Sequence, residues 1–148
     1  MNKLTFIFGI MVVFSVSCGT KKEENGEVID EQLSEQEQQQ QIYDEVMGLH
    51  DELMPKMKDI FDLRSEILEK ADSLEGIGKS SDDLMQKISD LEAGEEAMMD
   101  WMRNFQSLPE HTPHDSIMSY MTLQREKIMA VQEKIKQVME AGRSAINN

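Results

Sequence analysis

The side chains with the most chemical potential in this chain are sulfur and imidazole. His50, Met54 and Met57 follow one another at spacings of four and three, which places them on one face of a helix. A thioether is a soft ligand suited to Cu(I), and imidazole also suits that ion. Met98, Met102, Met118 and Met121 extend the set, so His50 with some of these six methionines is the candidate Cu(I) site. Trp101 is placed to cover such an ion by a cation-π contact, and Pro55, between Met54 and Met57, is expected to kink the helix where ligands converge. Methionine also fills irregular core gaps and forms adaptable docking surfaces, so the same residues equally suit a core or a partner site without metal.

Other chemistries find less support. Gly76-Ile77-Gly78-Lys79-Ser80 ends like a phosphate-binding loop, but the first glycine of that pattern falls at Ser73, and a helical rather than a strand pattern precedes it. The three histidines, His50, His111 and His114, form no His-Glu-x-x-His motif, and there are no nucleophile-elbow glycines. A haem held by His50 and a methionine lacks a Cys-x-x-Cys-His attachment, and only five aromatics follow residue 17. His111 and His114 bracket Thr112-Pro113 at a helix start, and His111 reads as a turn residue. The expectation is a protein that binds rather than turns over substrate.

Helices must position these residues. Val46, Leu53, Ile60, Ile67 and Leu74 recur every seven residues, with Leu49, Met57, Leu63 and Ala71 between them, predicting a helix over 42–74. A loop follows at Glu75 to Lys79. Ser80 with Asp83 resembles a capping box ahead of Leu84, Ile88, Leu91, Met98, Met102 and Phe105, a seam broken only at Glu95, which predicts a second helix over 81–105. Pro109 marks a turn, and Thr112 as N-cap with Pro113 at the first helical position starts a third helix over 113–146. Its seam runs through Ile117, Met121, Ile128, Val131, Ile135 and Val138, interrupted by Gln124.

No strand pattern is present, so the fold class is all-α, an antiparallel three-helix bundle with a polar N-terminal tether. With tight turns, the expected register sets Met57 beside Met98 and Met121, Met54 near Trp101 and Met118, and His50 near Phe105 and His114. The same heptads can also pair with other chains, including copies of this one.

The N-terminal segment carries an address. Lys3 precedes an apolar run from Leu4 to Phe14, too short to span a bilayer and suited to a signal-peptide core over 1–17. The run ends in Ser15-Val16-Ser17-Cys18, which resembles a bacterial lipobox whose cysteine is acylated after cleavage. Cys18 is the sole cysteine of the chain and excludes an intramolecular disulfide. Several acyl chains, as the resemblance implies, would hold the mature chain to a membrane. Residues 18–41 are rich in Glu and Gln, with little to contribute to a core, and form a disordered tether or an exposed helical extension. The formal net charge of -14 repels phosphate backbones and anionic headgroups, so nucleic acid is not an expected partner. The expected location is the cell envelope, periplasmic or surface-exposed.

The segment His50-Asp51-Glu52-Leu53-Met54-Pro55-Lys56-Met57, with Asp100-Trp101-Met102 downstream, resembles a group of small bacterial lipoproteins labelled as similar to viral A-type inclusion proteins. The resemblance implies a lipid-anchored, helical, Glu/Gln/Lys-rich chain. It implies no catalytic activity and leaves open which protein, if any, is the partner.

Overall fold

The computed structural model describes residues 33–147. The expected signal segment 1–17, Cys18 of the lipobox-like motif and the expected tether as far as residue 32 lie outside the described residues. Within them the chain is an all-α three-helix bundle: α1 (Glu35–Glu75), α2 (Asp82–Asn104) and α3 (His114–Asn147). None of the three is long and apolar enough to cross a membrane.

The first helix starts seven residues earlier than its apolar period predicts. Ser34 forms a complete capping box with Glu37: the Ser34 hydroxyl accepts from the Glu37 amide, and the Glu37 carboxylate accepts from the Ser34 amide. The glutamine run is therefore helical, and the tether loses its last residues to an extension of α1. Pro55 does not interrupt the helix. It lies on an exposed face, where the Asp51 carbonyl deprived of its amide partner is open to water.

At its C-terminal end α1 closes on Gly78, whose φ of 74 is left-handed. Gly78 donates to the Glu75 carbonyl and Lys79 to that of Leu74, the paired bonds of a Schellman motif. This is the structural role of Gly78, the second glycine of the stretch that imitates a phosphate loop. The box expected from Ser80 and Asp83 does not form. The Ser80 hydroxyl instead accepts from the Asp82 amide, while the buried Ser81 hydroxyl donates to Glu75.

Thr112 likewise does not cap α3. Its hydroxyl donates 2.8 Å to the Pro109 carbonyl, closing the turn, and Pro113 supplies the carbonyl that accepts the first helical bond, from Ile117. Pro113 thus sits one position outside the helix, and its fixed φ still suits that entry.

The predicted seams form the core. Val46, Ile60, Ile67, Leu91, Met98, Ile128 and Ile135 are fully buried, each contributing about 1.5–3 kcal/mol of transfer free energy. Two close approaches lock the helices together. A Cβ at Gly142 would stand 2.9 Å from Leu63 Cδ2 and 3.3 Å from both Ile67 Cδ1 and Leu91 Cδ1; one at Gly94 would stand 2.9 Å from Val138 Cγ2. The gap at Glu95 in the α2 seam has a partner across the bundle: Arg64 reaches Glu95 at 3.1 Å and Glu92 at 2.5 Å. The described residues form one compact unit with its own core.

Candidate functional site

Helical periodicity does align the His50, Met54 and Met57 backbone positions on α1, but the bundle treats the three differently. The His50 side chain is 21% exposed, its Nδ1 lies 2.9 Å from Asp51 Oδ1, and its ring stands 6.0 Å from that of Trp101. Met54 is exposed, Met57 packs half-buried against the core, and Leu53, just before Met54, is buried. From α2, Met98 is a fully buried core residue and Met102 is half-buried against the core. From α3, Met121 is buried and Met118 half-buried.

Register decides which of these can meet. Three contacts tie α1 to α3 along their length: Gln39 with His114, Glu45 with Arg125, and Lys70 with Ala145. The partners are 75 to 80 residues apart. Met57 therefore lies level with Gln132 to Gln137, well past Met121. At 1.5 Å per residue the axial separation of Met57 from Met121 is at least about 16 Å. Those two sulfurs cannot ligate one ion, and the seven-residue site expected from tight turns is not assembled.

The juxtapositions expected for α3 are corrected accordingly. Met121 is not beside Met57 and Met98, and Met118 is not level with Met54 but with the stretch near Tyr43. His114 bonds to Gln39 rather than approaching His50. The α1–α2 pairing is nearer the expected one: Arg64 meets Glu92, and His50 stands beside Trp101. His50, Met54, Met57, Met98 and Met102 thus remain at one end of the α1–α2 pair.

The connection between α2 and α3 causes the shift. Phe105 leaves α2 in extended backbone, with φ -76 and ψ 116. The chain then climbs along the bundle before α3 begins beside Gln39. Its path is fixed by the Phe105 ring, 5.1 Å from Trp101 and 6.1 Å from Tyr120, and by the Gln106 amide, which donates 2.7 Å to the Tyr120 hydroxyl. These aromatics form a ladder from His50 to Tyr120 along which the connection lies. Trp101 is itself buried, and its indole Nε1 has no hydrogen-bond partner among the described residues.

A cleft of about 730 Å³ runs between α1 and α3 over a floor of Leu53, Ile135 and Met139. Lys56, Lys136 and Arg143 alternate around it with Glu52, Glu133 and Glu140, a balanced and solvated rim. A second feature escaped the sequence reading. Large apolar side chains stand exposed on the outer faces of α1 and α2, above all Phe61 at 62%, with Leu68 and Met85 beside it around a cavity of about 300 Å³. The signal was present as a second seven-residue repeat, Met47, Met54, Phe61 and Leu68, one residue after the core seam.

The chain matches no known protein family, no curated protein and no solved structure.

Proposed function

We propose that the protein is a membrane-anchored lipoprotein of the cell envelope whose three-helix body acts as a protein-binding module, without turnover and without a resident metal. The anchor rests on Cys18 at the end of the Ser15-Val16-Ser17-Cys18 motif, directly after a short apolar run. The binding role is carried by one observation: Phe61, Leu68 and Met85 gather exposed around a single surface cavity in a chain that is otherwise strongly charged. Exposed apolar side chains scattered singly need no explanation, whereas a contiguous group marks an interaction surface.

The Met98 and Met121 side chains are accounted for by core packing, and register separates Met118 and Met121 from Met57. This favours the structural or protein-interaction lipoprotein over Cu(I) binding through a His/Met cluster. Two measurements test the reading. Bacteria expressing the full chain and fed an alkyne-bearing fatty acid should incorporate the label, and Cys18→Ser should abolish it; an unlabelled wild-type chain would remove the anchor. Cu(I) titrated in competition with a chelator should bind the wild type no more tightly than a Met54→Leu, Met98→Leu double variant. A clear loss of affinity in that variant would restore the metal site at the α1–α2 end.

A further inference from the structure

The exposed apolar residues form an ordered groove. On α1, Met54, Phe61 and Leu68 recur every seven residues and are 39%, 62% and 46% exposed. On α2, Met85, Glu92 and Met99 have the same spacing, and the two methionines are 47% and 40% exposed. The antiparallel α1–α2 register, fixed by Arg64 reaching Glu92 and Glu95, brings the two repeats into step. Leu68 then faces Met85, Phe61 faces Glu92, and Met54 faces Met99. The shared cavity lined by Phe61, Leu68, Met85 and Glu92 contains the first two of these layers. Arg64 and Ile88 lie in its wall between the helices, and Ser65 leaves a depression between Phe61 and Leu68.

Two antiparallel helices with matched heptad residues along their common outer groove present the docking geometry of a four-helix bundle lacking one member. We propose that this groove receives an amphipathic helix of a partner protein, with apolar residues at heptad spacing and lysine or arginine on its flanks, as the fourth helix of the bundle. The proposal rests on the binding-module reading above and specifies the partner's chemistry. Met54 to Leu68 spans about 21 Å at 1.5 Å per residue, so the occupant needs roughly four turns.

Charge selects the occupant. Glu69, Asp72 and Asp82 border the stripe and form no ion pair among the described residues, whereas the bordering cations are already engaged: Lys58 with Asp62, Arg103 with Glu96 and Asp100, and Arg64 with Glu92 and Glu95. A second copy brings its own -14 charge to an acidic rim and is repelled, while a basic helix gains from every flank. Anchors at i, i+3, i+4 and i+7 then seat against Phe61, Leu68, Met85 and Met99.

The test uses residues 33–148 and two labelled helical peptides of three heptads, both with leucine at the core positions, one with lysine flanks and the other with glutamate flanks. Fluorescence anisotropy should show the lysine peptide binding and the glutamate peptide not. Phe61→Gln with Leu68→Gln leaves the charge unchanged and replaces exposed side chains, so the fold is retained; it should weaken lysine-peptide binding by about tenfold or more, as loss of central anchors does. Leu123→Gln with Met129→Gln, exposed on α3, should have no effect. Equal binding by the Phe61/Leu68 variant would show mere charge attraction and overturn the groove. Equal binding of the glutamate peptide would overturn the basic flanks. Self-association in sedimentation that disappears with Phe61→Gln and Leu68→Gln would assign the groove to a second copy instead. Failure here, with Cys18 acylation intact and a partner crosslinked through another face, would refute the groove and leave the binding-module reading standing.

Discussion

Gly142 is the point where α3 presses against both other helices, and a matched pair of glycine substitutions measures that contact. Gly48 and Gly142 both lie inside helices, so replacing either by alanine gains about 0.5–1 kcal/mol from backbone entropy. At Gly48 a Cβ meets nothing within 4 Å, and the whole gain should appear. At Gly142 the added carbon would stand 2.9 Å from Leu63 Cδ2, with Ile67 and Leu91 methyls at 3.3 Å, and all three neighbours belong to the core. Inserting methyl groups into a filled core costs about 1–3 kcal/mol. Gly142→Ala is therefore expected to be neutral to about 2 kcal/mol destabilising, and Gly142→Leu, with three more carbons to place, about 3 kcal/mol or more. Urea unfolding of residues 33–148 followed by circular dichroism reads these as midpoint shifts at constant slope. A Gly142→Ala variant as stabilised as Gly48→Ala would refute this helix packing, and with it the register that separates Met57 from Met121.

Three further outcomes test local features. The Glu37 carboxyl is held below the ordinary glutamate range because its carboxylate accepts from the Ser34 hydroxyl and amide. The capping contribution is thus full above the ordinary glutamate value and is lost as pH falls through the lowered one; protection of the first α1 amides relative to intrinsic exchange should fall over that acidic window in the wild type and be low and independent of that window in Glu37→Ala. Trp101→Phe removes a buried indole donor that has no partner, so the relief of about 1–3 kcal/mol offsets the lost contact area; its stability should stay within about 1 kcal/mol of wild type, whereas Trp101→Ala should lose about 3–5 kcal/mol, and equal losses would sink the argument. Tyr120→Phe deletes the hydroxyl that accepts from Gln106, so exchange of the Gln106 amide should rise while the global unfolding midpoint changes by no more than about 1 kcal/mol equivalent.

The fold and the candidate site were legible to different degrees, for physical reasons that can be assigned to particular residues. Seven-residue recurrence from Val46 to Ile67 reports burial against a neighbour, so the three helices and most of their core positions could be read from the chain. Capping was less legible because short polar side chains compete for backbone partners. Ser80 and Thr112 both carry the right chemistry for N-caps, yet the Thr112 hydroxyl found the Pro109 carbonyl first. The glutamine run before Ile42 has no apolar period, and its helicity comes from Ser34 and Glu37 together with attachment to a helix already stabilised by packing.

The site depended on a quantity that periodicity does not encode. An amphipathic seam fixes which face of a helix is buried but not how far one helix slides along another, because a shift by whole turns keeps apolar against apolar. The α1–α2 loop, closed by a Schellman motif at Gly78, leaves little room to slide, and His50 does meet Trp101. The Phe105 to Pro113 connection is long enough to climb, and what sets its length of climb is the Trp101-Phe105-Tyr120 ladder together with the close approaches at Gly94 and Gly142. Apart from Trp101 and Phe105, one helical turn apart, those are contacts between residues distant in sequence, each unremarkable alone. The same reasoning explains the outer groove: Met54, Phe61 and Leu68 form a stripe on α1 in any register, but only the short α1–α2 loop brings Met85 and Met99 level with that stripe and turns two half-seams into one place for a helix to lie.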